Sequence, residues 1–176
     1  DLPQLSAQHA LTLAEAYEVQ RAGVARRLAR GERRIGVKMG FTSRAKMEQM
    51  GLSDLVWGRL TDGMIVEDGG RVARARFVHP RVEPEVAFLL GRDLAGHVTL
   101  PQALAAVAAV APALEIIDSR YRDFRFSLPD VVADNTSASA FVVGPWHAPG
   151  GALDNLGLVL AIDGRPRAYG SSAAIL

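Results

Sequence analysis

The N-terminal part of the chain carries apolar side chains in a helical pattern. Thr12 followed three residues later by Glu15 is a capping-box pair, typical of the first turn of a helix, and Gly31 supplies a stop signal. Between these signals, apolar residues recur at helical spacing at Leu13, Tyr17, Val24 and Leu28. The pattern predicts an amphipathic helix whose apolar side carries these four residues.

After this helix the pattern shifts towards strands and turns. A strand is predicted from Arg34 to Phe41, and a short helix from about Ser43 to Met50. Another helix is predicted to begin after Thr99 and to end before Pro112. Asp163-Gly164 predicts a hairpin turn. Helices early and strands late indicate an α+β fold, in which N-terminal helices precede a mixed, β-rich core.

The length of 176 residues is enough to bury a core, and no repeat or linker divides the chain. We expect one continuous domain with two regions. Residues 1–52 form an N-terminal helical region with the strand that carries Lys38, and residues 53–176 form the β-rich core.

Composition removes several classes of function. With 20 basic and 19 acidic residues the net charge is +1, so no global field attracts nucleic acid or an anionic membrane. The segment from Arg120 to Phe126 alternates basic and aromatic residues, but a half-buried strand explains this better than a nucleic-acid platform. Cysteine is absent, which excludes disulfides, zinc–thiolate sites and thiol nucleophiles. The longest apolar stretch, Leu100 to Leu114, is too short for a membrane span, and we expect a soluble cytoplasmic protein.

The candidate chemistry begins with two acids that are separated only by Pro84. In an extended strand, Glu83 and Glu85 point to the same side, together with the apolar residues Ala87 and Leu89. Two carboxylates on a face that enters the interior would repel each other and lose hydration. A hard divalent cation removes both problems, and Mg²⁺ or Mn²⁺ is the natural choice. The alternative is a solvated edge strand, which Pro84 favours because proline lacks a ladder donor.

A third acid, Glu115, lies inside the apolar, strand-like run from Ala111 to Asp118. Isolated acids are almost never fully buried, so this residue is a candidate third ligand. The alternatives are an ion pair with an arginine such as Arg120, or a position on an edge strand.

Lys38 stands on a strand face between two residues without side chains, Gly36 and Gly40. Glycine on a strand often marks the close approach of a ligand or of another backbone, so Lys38 could meet an anionic substrate there. A lysine on a solvated strand face is the alternative.

Together these residues resemble the hydratase and decarboxylase family of meta-cleavage pathways, within the fumarylacetoacetate hydrolase superfamily. The resemblance is colinear over essentially the whole chain. The matching stretches are Ile35-Gly36-Val37-Lys38-Met39-Gly40-Phe41-Thr42-Ser43, Val82-Glu83-Pro84-Glu85, Glu115-Ile116-Ile117-Asp118-Ser119-Arg120 and Val132-Ala133-Asp134-Asn135-Thr136-Ser137.

The resemblance implies a role for each matched position. It implies that Glu83, Glu85 and Glu115 bind Mg²⁺ or Mn²⁺ and that Lys38 serves the substrate. The implied substrate-binding residues are Ser137, Asn135, Asp134 and Arg120. It also implies a homo-oligomer, with possible association between decarboxylase and hydratase subunits.

Two activities of the family need separating. The hydratase branch has an acidic residue just before an aromatic-glycine pair, whereas this sequence reads Val56-Trp57-Gly58. The resemblance therefore favours decarboxylation of 2-oxo-3-hexenedioate (4-oxalocrotonate) over hydration of 2-hydroxypenta-2,4-dienoate. An acylpyruvate hydrolase and a non-catalytic fragment or subunit that binds metal and an oxo acid stay open.

The family continues beyond the stretch that matches Ser171 to Leu176 with several more strands. The expected fold is therefore a fumarylacetoacetate-hydrolase-like core that is C-terminally incomplete.

Overall fold

The computed structural model describes residues 1–49, 55–150 and 153–175. The α-helices are α1 Leu13–Ala29, α2 Arg44–Gln49, α3 Leu100–Ala106 and α4 Leu128–Ala133. The strands are β1 Arg34–Gly40, β2 Val56–Thr61, β3 Arg81–Leu90, β4 Val107–Ile117, β5 Ala138–Val143, β6 Gly157–Ile162 and β7 Arg165–Ser171. Short 3₁₀ turns connect several of these elements, and the fold is of the α+β class.

Three antiparallel sheets make up the β structure of the described residues. The first sheet consists of β1 and β2. The second has three strands in the order β3, β4, β5, and the third consists of β6 and β7. The turn between β6 and β7 has positive φ at Asp163 and Gly164, as a tight hairpin requires, so the predicted hairpin is confirmed. No helix in these ranges has the length and apolar character of a membrane span.

The predicted first helix is confirmed, but its buried face differs from the prediction. The capping box is present, with the Glu15 N–H donating to Thr12 and the Thr12 N–H donating to Glu15. The buried side chains of α1 are Ala16, Gln20 and Val24, while Leu13 and Leu28 are exposed. Ala16 lies in the core with residues of β2 and α4, and its small side chain allows a close approach.

That core centres on Ala16, Val56 and Val132, which come from α1, β2 and α4. It therefore joins the two predicted regions, and the β1–β2 pairing does the same. The predicted boundary between residues 52 and 53 lies outside the described residues, as does the predicted end of the second helix at Met50.

The helix predicted to begin after Thr99 is shorter than expected. It ends at Ala106, and the chain continues directly as β4. Pro112 lies inside that strand, and its carbonyl accepts from the Gly144 N–H at 2.9 Å, just after β5. The missing N–H faces the same side, so the proline is tolerated at the end of the β4–β5 ladder, which begins at Ala113. Pro84 is accommodated on β3 because β3 is one of the two edge strands of its sheet.

Candidate metal centre

The β3–β4 ladder brings three glutamates together. Glu83 lies directly opposite Glu115, and Glu85 follows on the same face of β3. One carboxylate oxygen of each glutamate lies within 4.8 Å of the others. Glu83 and Glu85 are half-buried and Glu115 is buried. We call Glu83, Glu85 and Glu115 the three-glutamate cluster.

Neither of the two alternatives for Glu115 is correct. Glu115 lies on β4, which is the central strand of its sheet and not an edge. Glu115 forms an ion pair with Lys38, whose Nζ lies 2.8 Å from Oε2, while Arg120 pairs with Asp134 at 2.6 Å. β3 is an edge strand, as the alternative for Glu83 and Glu85 had it, but both glutamates are half-buried and not solvated. The predicted inward face is half-buried from Glu83 to Ala87 and is exposed at Leu89.

Burial sets the electrostatics of Glu115. Loss of hydration raises the pKa of this carboxyl above its ordinary value, the Lys38 ammonium lowers it in part, and the Glu83 charge raises it further. Oε1 is buried and has no hydrogen-bond partner within the described residues. A group in this state is stabilised by a further cation on its free oxygen.

Lys38 faces inward from β1. Its strand neighbours Val37 and Met39 are exposed, so the glycine-flanked face is the one that packs against the rest of the protein. The Lys38 side chain is 10% exposed. Besides Glu115, its ammonium donates to the Thr136 carbonyl at 3.3 Å. Lys38 therefore lies on the inner face of β1, and the alternative of a solvated strand face is wrong.

A cavity of about 290 Å³ is lined by Lys38 and by two members of the three-glutamate cluster, while Glu115 lies behind its lining. Its polar wall contains Lys38, Glu83, Glu85, Thr136 and Ser137. Its apolar wall is formed by residues that include Phe41, Ile117, Phe124, Phe126 and Val131. The volume and the mixture of walls suit a small organic acid.

The residues fit a hard divalent cation. Three carboxylate oxygens are close enough to share one ion, and Mg²⁺ and Mn²⁺ prefer such ligands. The buried Oε1 of Glu115 has no hydrogen-bond partner among the described residues, and a bound cation would supply one. Because a set of three protein ligands leaves coordination positions open, substrate oxygens could reach the same ion from the cavity.

The segment after α4 supplies two hydroxyl-bearing residues to the cavity, in addition to Thr42 and Ser43. Asn135, Thr136 and Ser137 all have positive φ, near 55°, which is uncommon for residues other than glycine. Thr136 Oγ1 and Ser137 Oγ are buried and have no hydrogen-bond partner among the residues that the structure describes. Two free hydroxyls beside Lys38 can donate to a bound oxyanion.

The other predicted substrate-binding residues lie elsewhere. Arg120 donates to Asp134 through its backbone and side chain and to the Asp118 carbonyl at 2.7 Å. Both amide atoms of the Asn135 side chain bond the Arg59 backbone. Of the four residues predicted to bind substrate, Ser137 lines the cavity, and Arg120, Asp134 and Asn135 are not among the described residues that line it.

Sequence reasoning missed several cavity residues. Thr136 lay within a matched stretch but had no signal of its own. The segment from Arg120 to Phe126 is not the predicted strand, because Asp123 and Phe124 have positive φ in a tight turn. That turn brings Phe124 and Phe126 to the cavity, where their ring centroids lie 5.5 Å apart. Alternation of residue types could not distinguish such a turn from a strand.

Known proteins resemble the whole chain. No protein-family model matches it. A 4-oxalocrotonate decarboxylase from Pseudomonas sp. is 63% identical over 99% of this chain and 68% of its own length. A 2-hydroxyhexa-2,4-dienoate hydratase from Comamonas testosteroni is 38% identical over 94% of this chain and 64% of its own length.

A solved structure gives the same result for the fold. The 4-oxalocrotonate decarboxylase from Pseudomonas putida G7, complexed with magnesium and adipate, superposes with a TM-score of 0.95 at 37% identity. The match covers 99% of this chain and 68% of that one. Sequence and fold agree that this chain belongs to the family of 4-oxalocrotonate decarboxylases and 2-hydroxypentadienoate hydratases.

Proposed function

We propose that this protein decarboxylates 4-oxalocrotonate to 2-hydroxypenta-2,4-dienoate and CO₂ with the help of Mg²⁺ or Mn²⁺. The observation that carries the proposal is the three-glutamate cluster beside the Lys38 ammonium, because Lys38, Glu83 and Glu85 line one cavity. Support also comes from the names of its relatives, since the protein of 63% identity is called a 4-oxalocrotonate decarboxylase.

Glu83, Glu85 and Glu115 would hold the metal. When bound, a divalent cation supplies Lewis-acid polarisation of the 2-oxo carbonyl. In the reaction the bond to the distal carboxylate breaks, its electron pair passes through the conjugated carbons to the 2-oxo oxygen, and that oxygen gains a proton.

Lys38 would act on the charge that develops in this step. Its ammonium is desolvated and fixed between Glu115 and the Thr136 carbonyl, so it can stabilise negative charge or deliver a proton without reorganising. Thr136 and Ser137 would donate their free hydroxyls to substrate oxygens. Phe124 and Phe126 would exclude water from the part of the cavity that they line.

A second candidate function is hydration of 2-hydroxypenta-2,4-dienoate. It is favoured by relatives that carry hydratase names at 36% to 38% identity. Against it, Val56 is a buried core residue at the position where the hydratase pattern calls for an acid. A homo-oligomer, a complex with a sister hydratase and a cytoplasmic location stay predictions that accompany this proposal.

The test is to incubate the folded chain with 4-oxalocrotonate and Mg²⁺, to measure CO₂ release, and to follow hydration of 2-hydroxypenta-2,4-dienoate in parallel. Each assay is repeated with a chelator, with Mn²⁺ and with the Lys38→Met variant. CO₂ release that the chelator abolishes supports the decarboxylase, and hydration alone moves the protein to the sister activity. If neither reaction occurs while adipate still binds in the presence of metal, the protein is a non-catalytic binder and the proposal fails.

A further inference from the structure

Asn135 makes a pair of hydrogen bonds that imitates strand pairing. Its side-chain oxygen accepts from the Arg59 N–H at 2.8 Å, and its side-chain nitrogen donates to the Arg59 carbonyl at 2.9 Å. Arg59 belongs to β2, and the Asn135 side chain is buried. Both hydrogen-bonding groups of this amide are therefore committed to the backbone of the strand that pairs with the Lys38 strand.

The segment held in this way is strained. Three consecutive residues, Asn135, Thr136 and Ser137, adopt left-handed backbone conformations, and each such residue costs of order 1 kcal/mol or more. Such a turn persists only where its surroundings fix it. The backbone bonds of Ser137 contribute, since its N–H donates to the Asp134 carbonyl and its carbonyl accepts from Asp118. Asn135 ties the start of the turn to β2.

Two glycines allow the turn to approach the lysine strand closely. A Cβ at Gly58 would lie 2.5 Å from the Asn135 carbonyl oxygen and 3.3 Å from Lys38 Cδ. A Cβ at Gly40 would lie 2.7 Å from Thr136 Cγ2. Gly58 is the cross-strand partner of Lys38. The backbone of the turn and the stem of the lysine thus occupy the space that side chains at these positions would fill.

The turn reaches the lysine through the Thr136 carbonyl, which accepts from Lys38 Nζ at 3.3 Å. On its other side the ammonium faces Glu115. One contact depends on the three-glutamate cluster, and the other depends on a carbonyl whose position follows from the left-handed turn.

We propose that Asn135 is a positioning residue for Lys38. It acts by pinning the left-handed turn to β2, so that the Thr136 carbonyl fixes the ammonium at the cavity. This assigns to Asn135 a role different from the direct substrate contact that the sequence predicted. The consequence for turnover rests on the proposed function, whereas the consequence for the lysine itself does not.

The experiment compares three variants with the wild-type chain. Asn135→Ala removes both bonds to Arg59. Asn135→Asp keeps the side-chain oxygen that accepts from the Arg59 N–H, and aspartate also tolerates positive φ, but the amide donor is lost. This variant replaces Asn135→Ala as the test if Asn135→Ala does not fold. The matched control is Gln20→Ala, because Gln20 is another buried amide that bonds the β2 backbone, at the Trp57 carbonyl. Its amide also donates to the Val132 carbonyl of α4 and accepts from the Arg59 side chain, so this variant loosens the surroundings of β2 while it keeps both bonds between Asn135 and the Arg59 backbone.

The deciding measurement is the rate at which a small acylating reagent modifies Lys38 in the metal-free chain at one pH, read by peptide mass spectrometry against the N-terminal amine. We expect about a fivefold or greater increase in Asn135→Ala, a smaller increase in Asn135→Asp and little change in Gln20→Ala. An unchanged rate in folded Asn135 variants overturns the proposal, and so does an equal increase in the Gln20 variant, which would indicate general loosening.

Turnover supplies a second readout. Asn135→Ala should lower kcat about tenfold or more while KM and the Mg²⁺ Kd change by less than about threefold, because a misplaced lysine affects chemistry more than binding. Gln20→Ala should leave all three values close to those of the wild type. If the wild type releases no CO₂, the proposed function fails, and the labelling rates still decide the role of Asn135.

Discussion

Two acidic sites of this protein are buried to a similar degree but are stabilised in opposite ways. Asp130 is fully buried, and its carboxylate accepts hydrogen bonds from the backbone and the hydroxyl of both Ser6 and Ser127. Burial alone would raise the pKa of Asp130, but these bonds hold it below the ordinary value. Glu115 is 4% exposed, and burial raises its pKa despite Lys38.

The difference separates a structural acid from a candidate ligand. Every oxygen of Asp130 is used by the chain itself, so this carboxylate ties the N-terminal segment to the start of α4 and needs nothing else. Glu115 keeps a buried oxygen without a hydrogen-bond partner among the described residues and lies beside two further carboxylates. A bound cation would stabilise the second arrangement, whereas the first leaves no carboxylate oxygen for it.

Replacing the lysine gives the largest expected effect. Lys38→Met should lower turnover about 100-fold or more, because it removes the ammonium that would act on the developing charge. Metal affinity should stay the same or increase, since a cation beside Glu115 repels a divalent ion. Steady-state kinetics and calorimetric Mg²⁺ titration check both values. Unchanged turnover would remove Lys38 from the mechanism, and lost metal binding would make it a structural partner of the cluster.

Removing one ligand tests the cluster directly. Glu115→Gln should raise the Mg²⁺ Kd by about 100-fold or more, given that changes even to groups behind metal ligands cost 10-fold to 100-fold. Titration of Mn²⁺ by electron paramagnetic resonance provides an independent value. The control is Glu67→Gln, because Glu67 is an exposed acid outside the cavity. A Glu115 variant that binds metal as well as this control would refute the ligand assignment.

The structural acid should show the reverse behaviour. Asp130→Ala should lower the free energy of unfolding by about 4 kcal/mol, because it leaves four half-buried donors of Ser6 and Ser127 without their acceptor. The Mg²⁺ Kd should change by less than about twofold. Since the folded pKa of Asp130 is lowered, its contribution is present above the ordinary value of 3.8 and is lost as the pH falls through the folded pKa.

Urea unfolding across the acid range checks this prediction, with the exposed Asp93→Ala as its control. A loss below about 1 kcal/mol would show that water replaces the chain as the hydrogen-bond partner. Weakened metal binding in the Asp130 variant would instead remove the distinction between the two acids.

Local signals made part of this structure predictable. The first helix follows from the Thr12–Glu15 capping box, and the last hairpin follows from Asp163-Gly164. Glu83 and Glu85 share a face because strand geometry has a period of two. Glu115, which pairs with Glu83 across the ladder, is an acid inside an apolar run. That mismatch is the one local signal in the sequence that marks it as a candidate ligand.

Other features depend on tertiary contacts that no local pattern encodes. Lys38 was placed between glycines by sequence, but its partners Thr136 and Glu115 come from segments far along the chain. The left-handed turn from Asn135 to Ser137 contains no glycine, the residue type that usually indicates positive φ in a sequence. The roles expected for Arg120 and Asp134 came from resemblance, and their mutual ion pair became visible only in three dimensions.

Asp134 gives the smallest expected effect and is an intermediate case between the two acids. It is paired with Arg120, yet burial raises its pKa from 3.8 to about 6, more than the arginine lowers it. Stability that depends on the protonated carboxyl is fully present below pH 3.8 and is lost as the pH rises to about 6. The amide in Asp134→Asn imitates the protonated form at every pH. The unfolding free energy of the wild type should therefore fall relative to this variant by up to about 3 kcal/mol between pH 4 and pH 7. Urea unfolding of both proteins over that range measures the change. A wild type that instead gains stability over the variant would mean that the Arg120 pair outweighs burial, and Asp134 would then belong with Asp130 among the acids that the chain satisfies by itself.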